Sequence, residues 1–313
     1  MTIAVGLRSL PRPEHGAAVT IGTFDGVHLG HRALIAQTVA AARAGGFESI
    51  AITWDRHPLM TLRPEAAPRL LSSLERKLEL LQTTGLDHVV VIEFTDEFSH
   101  WGPERFVEEI LVTGLNARSV LVGEGWRFGH KRAGDVDLLT KLGEEFGFTA
   151  ATVDLATRSG TMVSSTRIRE AVGSGQLEEA NELLGRPFDI DGEVVHGDDR
   201  GASLGFPTAN IELDGRLAYP ARGVYAGRAR VDGSWFTAAT NVGVNPTFGG
   251  DPEITPVRIE TFLVSFDGDL YGRDLRIEFW ERLRDEMKFE SVGDLITQMR
   301  LDVEATKKVV ERL

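Results

Sequence analysis

Cysteine is absent from all 313 residues, which rules out disulfides, thiolate nucleophiles and cysteine metal ligands. No apolar run approaches the roughly 18 residues that a membrane helix needs. The opening segment, MTIAVGLRSLPRPEHG, lacks the apolar core of a signal peptide. Positive charge is also scarce: 34 Lys and Arg against 47 Asp and Glu leave a net charge of −13. With no local basic patch, that balance argues against a nucleic-acid surface. No Gly-Lys-Ser/Thr triplet occurs, so any ATP site must work without a P-loop. These absences predict a cytoplasmic protein that handles small molecules, with neither membrane nor nucleic acid as partner. They leave a homo-oligomer open.

What is present suits packed cores. Apolar residues make up 42% of the chain, and the length predicts two domains. The stretch that organises the first is Val19 to Leu34, VTIGTFDGVHLGHRAL. A β-branched run breaks at Gly22, Asp25-Gly26 signals a turn, and His28 and His31 flank Gly30. Leu34, Ile35, Val39 and Ala42 then fall close to one helical face. The expected unit is a strand, a tight loop, and a helix whose N-terminus carries both imidazoles. Free N–H groups and the positive end of the helix dipole suit such a loop to phosphate. Residues i and i+3 face the same way, so two imidazoles there can grip triphosphate oxygens. A bare H-x-x-H pair can equally be loop histidines satisfied by backbone. A helical zinc site is not indicated, because no Glu follows the first His and no third ligand is near.

Further strands are expected at Ile50–Trp54, Val89–Phe94, Ser119–Gly123 and Thr149–Leu155. Helices are expected around 70–81, 103–112 and 136–146. This alternation predicts a parallel, Rossmann-like sheet with its loops, including Asp55-Arg56-His57-Pro58 and residues 124–135, at the strands' C-terminal ends. In the second loop, Gly123, Gly125 and Gly129 do not form a dinucleotide fingerprint; Trp126 and Phe128 could stack on a planar ring. Ser164-Ser165-Thr166-Arg167-Ile168-Arg169 reads as a capped helix start, and its hydroxyls and Arg167 make a second phosphate-ready end. A helix at Leu177–Leu184 closes this half, with the boundary placed near residue 186.

Beyond it, turn signals recur about every ten residues between short alternating segments, clearest at Val224–Val231, Trp235–Val242 and Arg258–Phe266. That pattern predicts a compact antiparallel barrel, closed by a helix at about 292–310. Gly201, Gly205, Phe206, Pro207, Thr208 and Asn210 form a dense cluster within it. A Thr hydroxyl and an Asn carbonyl one residue apart can both ligate Mg²⁺. The plainer reading is a strand start where both simply hydrogen-bond. Glu260 alternates with apolar Ile259, Phe262 and Val264, which suits a strand residue pointing out of the core into a cleft.

G-T-F-D-G-V-H-L-G-H followed by S-T-R-I-R resembles the HxGH nucleotidylyltransferases, in the form used by prokaryotic FAD synthetases. L-G-F-P-T-A-N, Gly223-Val224-Tyr225, Asn245-Pro246-Thr247-Phe248, Glu260, Asp269-Leu270-Tyr271-Gly272 and Arg284-Asp285-Glu286 resemble the riboflavin kinase domain. Together they resemble the bifunctional FAD synthetases over nearly the whole chain. The resemblance implies an α/β Rossmann-like nucleotidylyltransferase domain at 1–185 and an antiparallel β-barrel riboflavin kinase domain at 186–313, ending in a helix. It implies conversion of riboflavin to FMN by the second and of FMN to FAD by the first, with ATP, flavin and Mg²⁺. It assigns ATP contact to Gly22, Phe24, His28, Gly30, His31, Ser165, Thr166 and Arg167. It assigns Mg²⁺–ATP to Thr208 and Asn210, general base to Glu260, and flavin contact to His57, Trp126, Phe128, Tyr271, Arg284 and Glu286. The chain departs from the family at Gly125-Trp126, where an acidic or amide residue and Phe are usual, and at Ala202-Ser203. Two alternatives were weighed: a single live site, or a flavin carrier that does no chemistry.

Overall fold

The structure is a computed structural model, and it describes residues 1–153, 157–158, 161–197, 204–244 and 257–312. The chain divides into two compact units, Met1–Ser165 and Thr166–Leu313.

The first unit runs β1 (Thr2–Val5), β2 (Ala17–Ile21), α1 (Leu29–Gly45), β3 (Glu48–Trp54), α2 (Pro58–Leu62), α3 (Leu74–Gln82), β4 (His88–Ile92), α4 (Asp96–Ser99), α5 (Pro103–Phe106), β5 (Ala117–Gly123), α6 (Val136–Phe146) and β6 (Thr149–Val153). A short ribbon of β7 (Thr157–Arg158) and β8 (Thr161–Met162) follows. Six strands form one parallel sheet in the order β1-β4-β3-β2-β5-β6. All five residues of β2 are buried, as expected of a strand covered on both faces. Alternate residues serve opposite cores. Ile50, Ile52, Val90 and Ile92 pack with Phe98, Trp101, Phe106 and Ile110, while Ala51, Val89 and Val91 pack with Phe24, Leu34, Ile35 and Leu81. Each such large apolar side chain contributes about 1.5–3 kcal/mol on burial.

The chain leaves β2 on one side for β3 and β4 and returns on the other for β5 and β6. The crevice at that reversal is where open α/β sheets bind ligands, and the 22–28 loop opens onto it. The helix expected at 103–112 differs in detail. After α5 it widens into π-helical turns over Val107–Gly114, where the Leu115 N–H reaches back to the Ile110 carbonyl at 2.9 Å. The wider winding keeps Val107, Ile110 and Leu111 buried together. Strand β1, which sequence patterning did not indicate, is a largely exposed edge strand only four residues long.

The second unit holds most of α7 (Ser165–Gly173), then α8 (Leu177–Leu184), β9 (Phe188–Val195), β10 (Thr208–Ile211), β11 (Gly223–Val231), β12 (Ser234–Val244), β13 (Val257–Leu263), β14 (Asp274–Arg284) and α9 (Val292–Glu311). The six strands close into a barrel in the order β10-β13-β12-β11-β14-β9, with β9 pairing back to β10. Ile259, Thr261 and Leu263 point into it from β13, and Ala238, Thr240 and Val242 from β12. The inward hydroxyls of Thr240 and Thr261 lie 3.1 Å apart and satisfy each other. Asn181 on α8 bonds the Phe279 carbonyl at 3.0 Å and accepts from the Phe188 N–H at 2.7 Å, fastening that helix to the barrel. Helix α9 is fastened by Asp302, which receives Arg284 at 2.7 Å and Gln298 at 2.9 Å.

Replacing Asp302 by Ala leaves the Arg284 guanidinium without its buried anion. The expected cost is about 3 kcal/mol of unfolding free energy in denaturant titrations. Ser291→Ala, which removes only the exposed N-cap of α9, is expected to cost about 1 kcal/mol in the same assay.

Candidate active sites

In the first unit the chain turns from β2 into α1 through a cramped loop. Phe24 (φ 48°) and Val27 (φ 40°) both sit in the left-handed region, and both side chains are fully buried. Non-glycine residues hold that conformation at a cost of about 1–3 kcal/mol each, so the surroundings must over-determine it. Asp25 does much of this. Its carboxylate accepts the Leu71 N–H at 2.8 Å, its carbonyl accepts the Ser165 hydroxyl at 3.1 Å, and the Gly26 N–H donates to Ser72 Oγ at 3.2 Å. Asp25 therefore shapes the turn rather than offering its carboxylate to a ligand.

The turn delivers His28 as the N-cap of α1. Its Nδ1 accepts the His31 N–H at 3.3 Å, so in neutral His28 the ring proton sits on Nε2. The two imidazoles stack with centroids 3.6 Å apart, and Phe24 meets His31 edge-on at 5.2 Å. A side chain at Gly30 would press within 3.2 Å of the His28 ring, so glycine there leaves the stacked ring its room. His31 Nδ1 is buried and finds no hydrogen-bond partner among the described residues. Burial, followed by the neighbouring His28 and the Lys77 ammonium, holds His31 well below the usual histidine range. The result is a pair of preorganised imidazoles at a helix N-terminus.

Gly22 lies under the Phe24 ring, where an added Cβ would come within 3.2 Å. Ser165, Thr166 and Arg167 form the first turn of α7, and Arg167 pairs with Glu179 through Nε at 2.7 Å. His57 caps α2, its Nδ1 accepting the Leu59 N–H at 3.2 Å. Trp126 and Phe128 stack on each other at 4.7 Å. Phe128 is buried against Phe106, while Trp126 keeps the more accessible ring. Lys77 was not indicated by any motif. It lies on the apolar stripe of α3 between Leu74 and Leu81, and that misplaced charge was the available signal.

In the barrel, register assembles the second cluster. Asn210 on β10 stands opposite Glu260 on β13, which stands opposite Asn241 on β12. Because Ile259, Thr261 and Leu263 turn inward, Glu260 faces outward with Phe262, Thr208, Asn210 and Asn241. Cross-strand neighbours on one face are about 5 Å apart, so the three polar side chains form a continuous row. Asn210 Oδ1 is buried without a hydrogen-bond partner among the described residues. A Cβ at Gly197 would strike the Asn210 amide, so glycine is required for that side chain to lie where it does. Thr208 and Asn210 thus present hard oxygen atoms on one strand face, a donor set that fits Mg²⁺ shared with a nucleotide.

Asn241 also hydrogen-bonds the Glu286 carboxylate. Burial, reinforced by the Glu260 charge, pushes Glu286 up despite Arg222 and Arg284. Asn241 escaped the sequence reading because only register reveals it. Tyr271, 43% exposed, stacks on His196 at 3.8 Å. Arg284 is held by Asp302, and its Nη1 donates to the Asp285 carbonyl at 2.9 Å. Phe206 packs edge-on against Phe262 at 5.3 Å, with Gly205 and Pro207 on either side. Gly201 and the Asn245–Phe248 segment lie outside the described residues.

The FAD synthetase family model matches residues 10–167, and the riboflavin kinase family model matches residues 184–310. A bifunctional riboflavin kinase/FMN adenylyltransferase from Pseudomonas fluorescens is 38% identical over 308 residues, spanning 98% of this chain and 97% of its own. Proteins of the same name from Listeria monocytogenes and Escherichia coli K12 are 37% and 35% identical, covering 94% and 96% of this chain and 93% and 96% of their own. A crystal structure described as a macrolide-efflux protein from Streptococcus pneumoniae matches with a TM-score of 0.86 at 28% identity, over 98% of this chain and 99% of that one.

The depressed His31 has a consequence for stability. Its folded pKa lies below the unfolded value of about 6.5, so the unfolded chain binds the extra proton first as pH falls. Stability from this group is complete above about pH 6.5 and is lost on acidification, with a slope on the order of 1 kcal/mol per pH unit. Denaturant unfolding at pH 7.5 and pH 5.5 should show a smaller loss for His31→Asn than for the unaltered chain. An equal loss would remove His31 as the source.

Proposed function

The chain belongs to the bifunctional riboflavin kinase/FMN adenylyltransferase family, and we propose that it makes FAD in two steps, each performed by its own half. The C-terminal half moves the γ-phosphoryl group of ATP to riboflavin, giving FMN and ADP. The N-terminal half joins FMN to the adenylyl group of a second ATP, giving FAD and pyrophosphate. Riboflavin, FMN and ATP are its small-molecule substrates. We place both reactions in the cytoplasm, where ATP is supplied. The functional limits follow the motifs, 1–185 and 186–313, because the S-T-R-I-R segment that opens α7 belongs to the adenylyl-transfer signature even though α7 and α8 pack with the barrel unit.

The observation that carries the reading of the barrel is the row Asn210–Glu260–Asn241 with its buried, unpartnered Asn210 oxygen. Glu260 takes the proton of the ribityl 5′-hydroxyl as that oxygen attacks phosphorus, and Asn241, opposite it, hydrogen-bonds the Glu286 carboxylate. Thr208 and Asn210 would hold Mg²⁺, which supplies positive charge against the ATP phosphates. Glu286 reaches this row through Asn241, and we take it and Tyr271 as flavin contacts. In the first half the stacked His28 and His31 aim N–H donors at the phosphates, meeting charge as it moves onto the leaving pyrophosphate. Ser165, Thr166 and Arg167 supply the hydroxyls and cation of the other helix start. Trp126 offers an accessible ring for the isoalloxazine.

The separation of roles is tested by supplying riboflavin, ATP and Mg²⁺ and resolving the products by chromatography. Glu260→Ala should lower FMN formation by roughly 10²–10⁴-fold while FMN-to-FAD conversion persists. His28→Ala should lower FAD formation by roughly 10²–10³-fold while FMN still accumulates. If each variant lost both activities together, the division of labour would be wrong.

A further inference from the structure

Lys77 has no part in the chemistry just described, yet it is among the most confined charges in the chain. It is 8% exposed, on the inward face of α3. A buried ammonium is costly unless its donors are satisfied and its charge is met. Both conditions hold. Nζ donates to the Trp54 carbonyl at 2.8 Å and to the Thr23 carbonyl at 3.3 Å, joining the C-terminal end of β3 to the loop after β2. Asp25 in that loop and Asp55 just past β3 attract it, and His31 on α1 feels its charge. Both carboxylates are fixed in place, Asp25 on the Leu71 N–H and Asp55 on the Phe94 N–H, each at 2.8 Å.

The Thr23 carbonyl belongs to the peptide plane that leads into Phe24, the first left-handed residue of the turn. Rotation of that plane changes Phe24 φ, and with it the direction in which His28 and His31 are presented. We propose that Lys77 is a positioning residue for adenylyl transfer, clamping the Thr23 and Trp54 carbonyls so that the strained turn holds both imidazoles in register with the nucleotide phosphates. The proposal rests on reading the N-terminal half as the FMN adenylyltransferase. An apolar residue at this place would fill the same core without the cost of burying a charge, so packing alone does not account for lysine. The ammonium has three donors, and two of them serve the clamp. Burial lowers the Lys77 pKa to about 8, opposed by Asp25 and then Asp55. Its charge is therefore lost within an accessible pH range.

The experiment compares the full-length chain with Lys77→Met and Lys77→Arg, assaying FMN adenylylation and riboflavin phosphorylation separately. For Lys77→Met, kcat of adenylylation should fall roughly 30- to 100-fold with KM for ATP and FMN within about threefold, because misplacement of catalytic groups is felt in the transition state. Riboflavin phosphorylation should stay within about twofold. Lys77→Arg, which keeps the charge, should recover part of the loss. In the unaltered protein, adenylylation should decline above pH 8 while phosphorylation does not. Arginine should remove that decline, since guanidinium does not titrate there. Adenylylation by Lys77→Met within twofold of the unaltered chain would overturn the proposal. So would an alkaline decline shared by both activities, a test that needs no variant to fold. An unaltered chain that makes FMN but no FAD would overturn the reading of this half as well.

Discussion

Strand register is the constraint on which both sites rest. In the barrel, a slip of one residue between β10 and β13 would turn Asn210 and Thr208 toward the interior and break the row with Glu260. The slip is resisted because it would also carry Ile211 and Ala209 out of the core and expose them. The hydrophobic pattern of one face therefore fixes the chemistry of the other. In the parallel sheet the same hydrogen-bonded alignment of β2, β3 and β5 brings their following loops to one edge. The helix N-terminus at His28 then opens where the sheet's connectivity reverses.

At both sites polar groups occupy positions that a stability argument alone would give to apolar ones. His31 Nδ1 and Asn210 Oδ1 are buried without partners among the described residues, and Lys77 carries a charge on the apolar face of a helix. Each costs stability in the free protein, and on the proposed function each is preorganised for a charged ligand. Interactions of this kind need little rearrangement when charge develops in the transition state, which is the condition for effective electrostatic catalysis. The left-handed Phe24 and Val27 belong to the same account. Strain there is tolerated because Asp25, Ser72, Ser165 and Lys77 together hold the turn from outside.

Much of the architecture is legible in the chain because it depends on local patterning. The runs Val19–Ile21 and Val89–Phe94 read as strands, α6 begins at the Asp135 cap, and α6 and α8 both end at a glycine, Gly147 and Gly185. The expected helix at 103–112 is present but widened into π turns, since periodicity does not distinguish a 3.6-residue repeat from a locally wider one. β1 and β14 escaped notice for different reasons. The first is an exposed edge only four residues long. The second carries Arg276 and Glu278, charges that alternate with core residues and pair across strands with Asp191 and Arg228.

The motifs around His28 and Ser165 suggest phosphate chemistry through residue types at short spacings, whereas Thr208 and Glu260 take their roles from the resemblance to the riboflavin kinase domain. Which residues support them was decided only in three dimensions. Asn241 meets Glu260 by strand pairing although the two lie 19 positions apart in sequence, and Lys77 reaches the His28 turn from a helix more than forty residues downstream. Asp25 reads as half of a turn signal, yet its partners Leu71 and Ser165 come from distant parts of the chain. Local chemistry is written in neighbouring residues. The orientation of that chemistry depends on contacts between segments far apart in sequence, and those exist only once the sheet and barrel have closed.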